Sequence, residues 1–204
     1  MTNKPYIVAL VGSYRKNGVV SSAVEEILAS AGESGAETKN VFLPDTHIEF
    51  CTNCRSCTQE EGSTRGRCVL DDSMGELLDM IERSDAVVLA SPMNVGTVTA
   101  VTKRFIERLI GFYFWPWGYA SPKIRNSEKN KKAVLVTSSA APAIFAGLSG
   151  TVQKQLKTAA GLLGATPAGV LSIGLAAQQI DQELDERSRK KARMLGKQLV
   201  EAVR

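Results

Sequence analysis

Five strand-like runs, each followed by a stretch with helical spacing, constrain this chain more than any other feature. The runs are residues 6–11, 37–43, 86–90, 133–137 and 168–173. Residues 86–90 (Ala-Val-Val-Leu-Ala) are continuously apolar, as expected of a central parallel strand buried on both faces. Between the runs, apolar residues recur at helical intervals: Val24, Ile27, Leu28 and Ala31 in 22–34, Leu77, Leu78 and Ile81 in 73–83, and Val101, Phe105, Ile106 and Leu109 in 98–110. A fourth helix is expected through Leu148, Val152, Leu156 and Ala159, and a fifth over 181–203 through Leu184, Leu195, Leu199 and Val203. This alternation predicts an α/β fold, a doubly wound parallel sheet with right-handed crossovers. At 204 residues, one such domain is expected, with a cysteine loop at 50–70 and an aromatic insertion at 111–130.

Ligands of such sheets bind beyond the carboxyl ends of the strands. Three loops are expected there: 12–22, 92–96 and 138–142. The first, Gly12-Ser13-Tyr14-Arg15-Lys16-Asn17-Gly18, reads as a phosphate cradle leading into a helix that starts near Ser21 or Ser22. Glycine permits close backbone approach, Arg15 offers a charged fork, and the helix adds its positive end. Neither G-x-x-x-x-G-K-[ST] nor G-x-G-x-x-G is present, which argues against ATP and dinucleotide motifs and favours a monophosphate. The bland alternative is an ordinary strand-to-helix turn.

Cys51, Cys54, Cys57 and Cys68 form a C-x2-C-x2-C-x10-C arrangement. Three closely spaced cysteines and one distant one can supply the four thiolates of a [4Fe–4S] cluster. Paired C-x2-C knuckles would suit zinc better, and four reduced thiols or a disulfide are the remaining readings. Asp71 and Asp72 read as caps of the next helix, without chemistry of their own. His47 is the lone histidine and is given no role; Lys103 and Arg104 read as solvated or dimer-facing.

The 25 basic and 21 acidic residues leave a net charge of +4 without dense basic runs, so small anionic ligands are expected and nucleic acid is not. No apolar stretch approaches the roughly 20 residues that span a bilayer, and the N-terminus lacks a signal-peptide core, so a cytoplasmic location without membrane association is expected. There, clustered cysteines suit metal or redox chemistry.

With these loops placed, the chain resembles the flavodoxin-like NAD(P)H-dependent FMN reductases, in particular their iron-sulfur flavoprotein branch. The resemblance rests on Gly12-Ser13-x-Arg15-Lys16-Asn17-Gly18, on the cysteine loop followed by Asp71-Asp72, and on Ser91-Pro92-x-x-x-Gly96 leading to Lys103, Phe105 and Arg108. It implies a three-layer sandwich around a five-stranded parallel sheet of order 2-1-3-4-5. It further implies that Ser13, Arg15 and Asn17, with Ser21 or Ser22 and backbone N–H groups such as that of Val20, hold the FMN phosphate. Pro92, Met93, Asn94, Val95 and Gly96 would border the flavin ring, and Ser138 and Ser139 would close its far side. Cys51, Cys54, Cys57 and Cys68 would ligate the cluster, although the ten residues between the last two exceed that branch's compact spacing.

Two dipeptides depart from the family pattern: Val19-Val20 stands where Asn-Thr is usual, and Met93-Asn94 replaces an aromatic. The segment 112–119 holds half of the chain's aromatic residues and is expected to be a subunit interface and active-site wall. The resulting expectation is an FMN-dependent NAD(P)H oxidoreductase passing electrons to a quinone, a flavin or a redox protein, as a homodimer or homotetramer. A one-electron iron-sulfur transfer protein is the alternative, and a non-catalytic scaffold or thiol/metal redox sensor a third.

Overall fold

The computed structural model describes residues 4–62, 64–142 and 150–204. Its centre is a parallel sheet of β1 (Tyr6–Val11), β2 (Glu37–Phe42), β3 (Ala86–Asn94), β7 (Lys131–Ser138) and β8 (Ala165–Ile173), in the order β2-β1-β3-β7-β8. That order is the 2-1-3-4-5 arrangement expected. Helices α1 (Val19–Glu33) and α5 (Glu186–Glu201) cover one face; α2 (Met74–Arg83), α3 (Ala100–Arg108) and α4 (Thr151–Leu162) cover the other.

The period of two in β1 divides the core between these layers. Ile7, Ala9 and Val11 pack with α1 and α5, while Val8 and Leu10 pack with α2 and α3. All five residues are at most 2% exposed, which is why this run reads as continuously apolar rather than alternating. Among the described residues no helix is long and apolar enough to cross a membrane.

Several boundaries differ from expectation for reasons of packing. α1 begins at Val19 rather than Ser21 or Ser22, because Val19 and Val20 are drawn into the core at 7% and 2% exposure. Gly18 then takes the N-cap position in extended conformation, without a side-chain cap. β3 continues past Ala90 to Asn94, and its end folds back as a hairpin on β4 (Thr97–Val98), pairing Met93 with Val98 and Asn94 with Thr97. Val95 and Gly96 make the turn with φ of 48° and 79°, the two positive values that a tight two-residue hairpin turn demands. β8 starts at Ala165, three residues early. α5 starts at Glu186, where Asp185 accepts from Ser188 N–H at 2.9 Å, so Leu184 precedes the helix. Leu148 lies outside the described residues.

The aromatic segment forms a small antiparallel ribbon, β5 (Tyr113–Phe114) with β6 (Lys123–Ile124), apart from the main sheet.

Candidate flavin cleft and cysteine loop

The loops after β1, β3 and β7 converge on a cleft of about 980 Å³ at the carboxyl ends of the strands. Ser13, Arg15, Asn17 and Val20 line it from the first loop, Pro92, Met93 and Asn94 from the β3 hairpin, and Ser138 and Ser139 from the end of β7. Val95 and Gly96 do not line it: the hairpin turn carries them outward, and Val95 is 99% exposed. Ser21 lies beneath, its hydroxyl already donating to the Arg15 carbonyl at 2.8 Å, while Ser22 lines the cleft.

The first loop is pinned from below. Gly12 N–H donates to the Ala90 carbonyl at 2.8 Å, and Thr99 Oγ1 donates to the Gly12 carbonyl at 2.6 Å. A Cβ on Gly12 would stand 1.7 Å from Thr102 Oγ1, so only glycine permits this approach. Ser13 Oγ then accepts from Arg15 N–H at 3.1 Å, turning the chain toward α1. At that end of α1 there is no acidic residue and no side-chain cap, so the first-turn N–H groups keep their positive field for an anion. The Arg15 guanidinium crosses to the Ile180 carbonyl, 3.1 Å away.

Sequence reasoning missed three contributors. Tyr14 and Thr99 line the cleft, and Tyr14 Oη accepts from Val101 N–H at 3.2 Å. Ser91, Thr99 and Thr102, at most 3% exposed, form a hydroxyl cluster joining the first loop to β3 and α3. The third is the loop after β8: Ala176, Ile180 and Leu184 among others wall the cleft, and Ala176 N–H donates to the Ser139 carbonyl at 2.9 Å. A Thr-x-x-Thr pattern at the head of α3 was the one local signal for the hydroxyls.

The aromatic segment does not line this cleft; it grips the cysteine loop instead. Arg55, in left-handed backbone at φ 60°, places its guanidinium 3.8 Å from the Trp115 ring and 4.2 Å from the Trp117 ring. Trp115 N–H donates to the Thr58 carbonyl at 2.9 Å, and Arg125 Nη2 donates to the Cys57 carbonyl at 3.2 Å.

All four cysteines are free and line one hollow of about 20 Å³, beside Arg108. Burial, then the neighbouring Cys68, Cys51 and Cys54, push the Cys57 thiol up, while hydrogen bonds from Ser56 pull the Cys54 thiol down. Four thiols converging on one hollow fit the donor set of a thiolate-ligated centre. Among the described residues, however, no three His, Cys, Asp or Glu side chains are already arranged around a metal position. Asp72 is more than a cap: it accepts from Met74 N–H at 3.0 Å and also pairs with the buried Arg108. A second cavity of about 540 Å³ adjoins Cys57 and Cys68, walled by the long interval between them and by α2.

A family model described as NADPH-dependent FMN reductase matches residues 5–179. An iron-sulfur flavoprotein of Archaeoglobus fulgidus is 32% identical over 195 residues, covering 96% of this chain and 79% of that protein. An iron-sulfur flavoprotein of Methanocaldococcus jannaschii is 30% identical over 102 residues, 50% of each chain. Among solved structures, the NAD(P)H:quinone oxidoreductase of Methanothermobacter marburgensis superposes with a TM-score of 0.68 at 18% identity, over 99% of this chain and 100% of that one. An FMN-dependent NADH-azoreductase of Bacillus anthracis, in complex with FMN, gives 0.65 at 12% identity, over 98% of each. At such identities these structures establish the shared fold.

Proposed function

Since the chain belongs to the NADPH-dependent FMN reductase family, we propose that it is an FMN-dependent NAD(P)H oxidoreductase passing electrons to a quinone, a flavin or a redox protein. The observation that carries this reading is the cleft at the carboxyl ends of β1, β3 and β7, with an uncapped helix start and an arginine at one end. Ser13, Arg15, Asn17, Ser22 and the N–H groups of Val19 and Val20 would hold the phosphate. Pro92, Met93 and Asn94 would border the ring on one side and Ser138 and Ser139 on the other. When bound, FMN supplies the two-electron chemistry, accepting hydride from the nicotinamide and passing electrons on. The chain's own residues hold the reactants in register, exclude water and anchor the anionic end. A cytoplasmic homodimer or homotetramer is the proposed working state, supported by exposed Trp117 and Tyr119 at 65% and 49%.

Titration of the purified protein with FMN tests the reading: flavin fluorescence should quench at one equivalent per chain, and the loaded protein should oxidise NADPH or NADH with a quinone present. FMN that fails to bind would overturn it.

One observation favours a second role. Four free cysteines share one hollow, which supports a [4Fe–4S] centre on Cys51, Cys54, Cys57 and Cys68 and electron transfer in single steps. Iron and acid-labile sulfide, assayed with the visible spectrum on anaerobically purified protein, decide it: about four irons per chain support the centre, and none rejects it.

A further inference from the structure

The cysteine loop leaves and rejoins the fold at one point, and a buried ion pair closes that point. The side chains of Asp72 and Arg108 are 1% and 2% exposed; Arg108 Nη1 donates to Asp72 Oδ2, and Nη2 to Oδ1 at 3.1 Å. Asp72 Oδ2 accepts from Glu49 N–H at 2.7 Å, and Arg108 Nη1 donates to the Glu49 carbonyl at 2.9 Å. Two side chains thereby join both ends of the loop to α2 and α3.

One contact exceeds what closure requires. Arg108 Nη2 also donates to Cys68 Sγ at 3.4 Å, and Arg108 lines the hollow shared by the four thiols. Burying a guanidinium is costly, and well-packed apolar residues often replace a buried pair without loss of stability. A neck serving folding alone could therefore be apolar. A donor aimed at sulfur, carried on a fixed cation, suits a thiolate centre, whose potential depends on net charge and on hydrogen bonds to its sulfurs.

We propose that Arg108, oriented by Asp72, is a positioning residue of the four-cysteine centre: it holds Cys68 as the fixed ligand and offsets the negative charge that thiolate ligation brings. This rests on the [4Fe–4S] reading above. Cys54, by contrast, is exposed. Lysine at 108 would retain the charge but could not fork onto Asp72 and reach the sulfur together.

The test compares wild type, Arg108→Lys and the neutral pair Asp72→Asn/Arg108→Gln after anaerobic loading with iron and sulfide. Three quantities are read: iron per chain, the rate of iron release to a ferrous chelator, and the midpoint potential of the iron-sulfur signal. Arg108→Lys should bind FMN as wild type does, release iron several-fold faster and titrate at a more negative potential. The neutral pair, which leaves no lone buried charge, should shift further in the same direction and keeps the test informative if lysine impairs folding. Unchanged release and potential in a folded, iron-loaded variant would overturn the proposal. So would a lower melting temperature with unchanged potential, the mark of a purely structural pair. Wild type that binds FMN but takes up no iron would sink the cluster reading and this proposal with it, whereas iron-loaded wild type with indistinguishable variants sinks the proposal alone.

Discussion

Arg15 Nη1 lies 3.1 Å from the carbonyl oxygen of Ile180, across 165 residues of sequence, and so ties the first loop of the cleft to the loop after β8. An arriving phosphate would compete with that carbonyl for the guanidinium. A hydrogen bond to a charged group contributes about 1.5–3 kcal/mol, so Arg15→Ala should weaken FMN binding roughly 10- to 150-fold. The melting temperature without FMN should change little, since the bond is solvent-exposed. Fluorescence titration of flavin checks the first statement and calorimetry the second.

Gly12→Ala forces a Cβ to within 1.7 Å of Thr102 Oγ1, beneath the first loop of the cleft. Overpacking of this kind costs about 1–3 kcal/mol. The substitution should lower the urea midpoint and weaken FMN binding together, while Thr102→Ala on the same background should restore part of both. Failure of the second change to rescue either would mean that the contact is not the cause.

Arg55 between Trp115 and Trp117 ties two segments that share no regular secondary structure. Cation–π contacts contribute about 0.5–2 kcal/mol each, and Arg55→Ala removes both along with its bonds to the carbonyls of Trp115 and Pro116. Amide exchange should accelerate across 55–62 and 113–124, leaving β1 and β3 unchanged. Tryptophan emission should shift to the red as the rings become more exposed.

Acidification should act partly through Glu26. Its burial opposes ionisation, but hydrogen bonds and charges from Arg193 and Arg189 outweigh that and hold the carboxyl below its ordinary value of 4.5. A carboxyl with a depressed folded-state pKa contributes stability above its unfolded pKa and loses it as pH falls through the folded value. Glu26→Gln should therefore be less stable than wild type at pH 7, and the two should converge as pH falls through the depressed folded-state value. Urea midpoints measured from pH 7 to 3 test this.

Asp185 caps α5 by accepting from Ser188 N–H, and hydrogen bonds from the Ser188 side chain first, then from its N–H, outweigh burial and lower its pKa. Asp185→Ala should cost about 1 kcal/mol at neutral pH, Asp185→Ser much less. Equal losses for both would show that the carboxylate's charge, rather than the cap bond, is what matters.

The sheet was legible because strands buried on both faces must be apolar at every position, and 6–11 and 86–90 are. Helix α1 was misplaced because Val19 and Val20 register only against a sheet that the local sequence does not contain. The extension of β3 was hidden by Pro92, a poor strand residue except near an edge or end. Most of the cleft was read from residues at strand ends, yet Thr99 and Ile180 enter through hydrogen bonds from other elements. The cation–π stack on Arg55 and the Asp72–Arg108 pair join residues tens of positions apart, and no local spacing announces them.

The cysteine loop is fastened by residues made after it. Arg108 follows Cys68 by 40 positions, and Trp115 and Arg125 come later still. At synthesis rates of about 5–20 residues per second, Cys68 emerges roughly 2–8 s before Arg108 does. Through that interval a nascent chain presents an unclosed thiol segment, open to oxidants. Oxygen tension during translation should therefore bear on what fraction of molecules keeps all four thiols reduced.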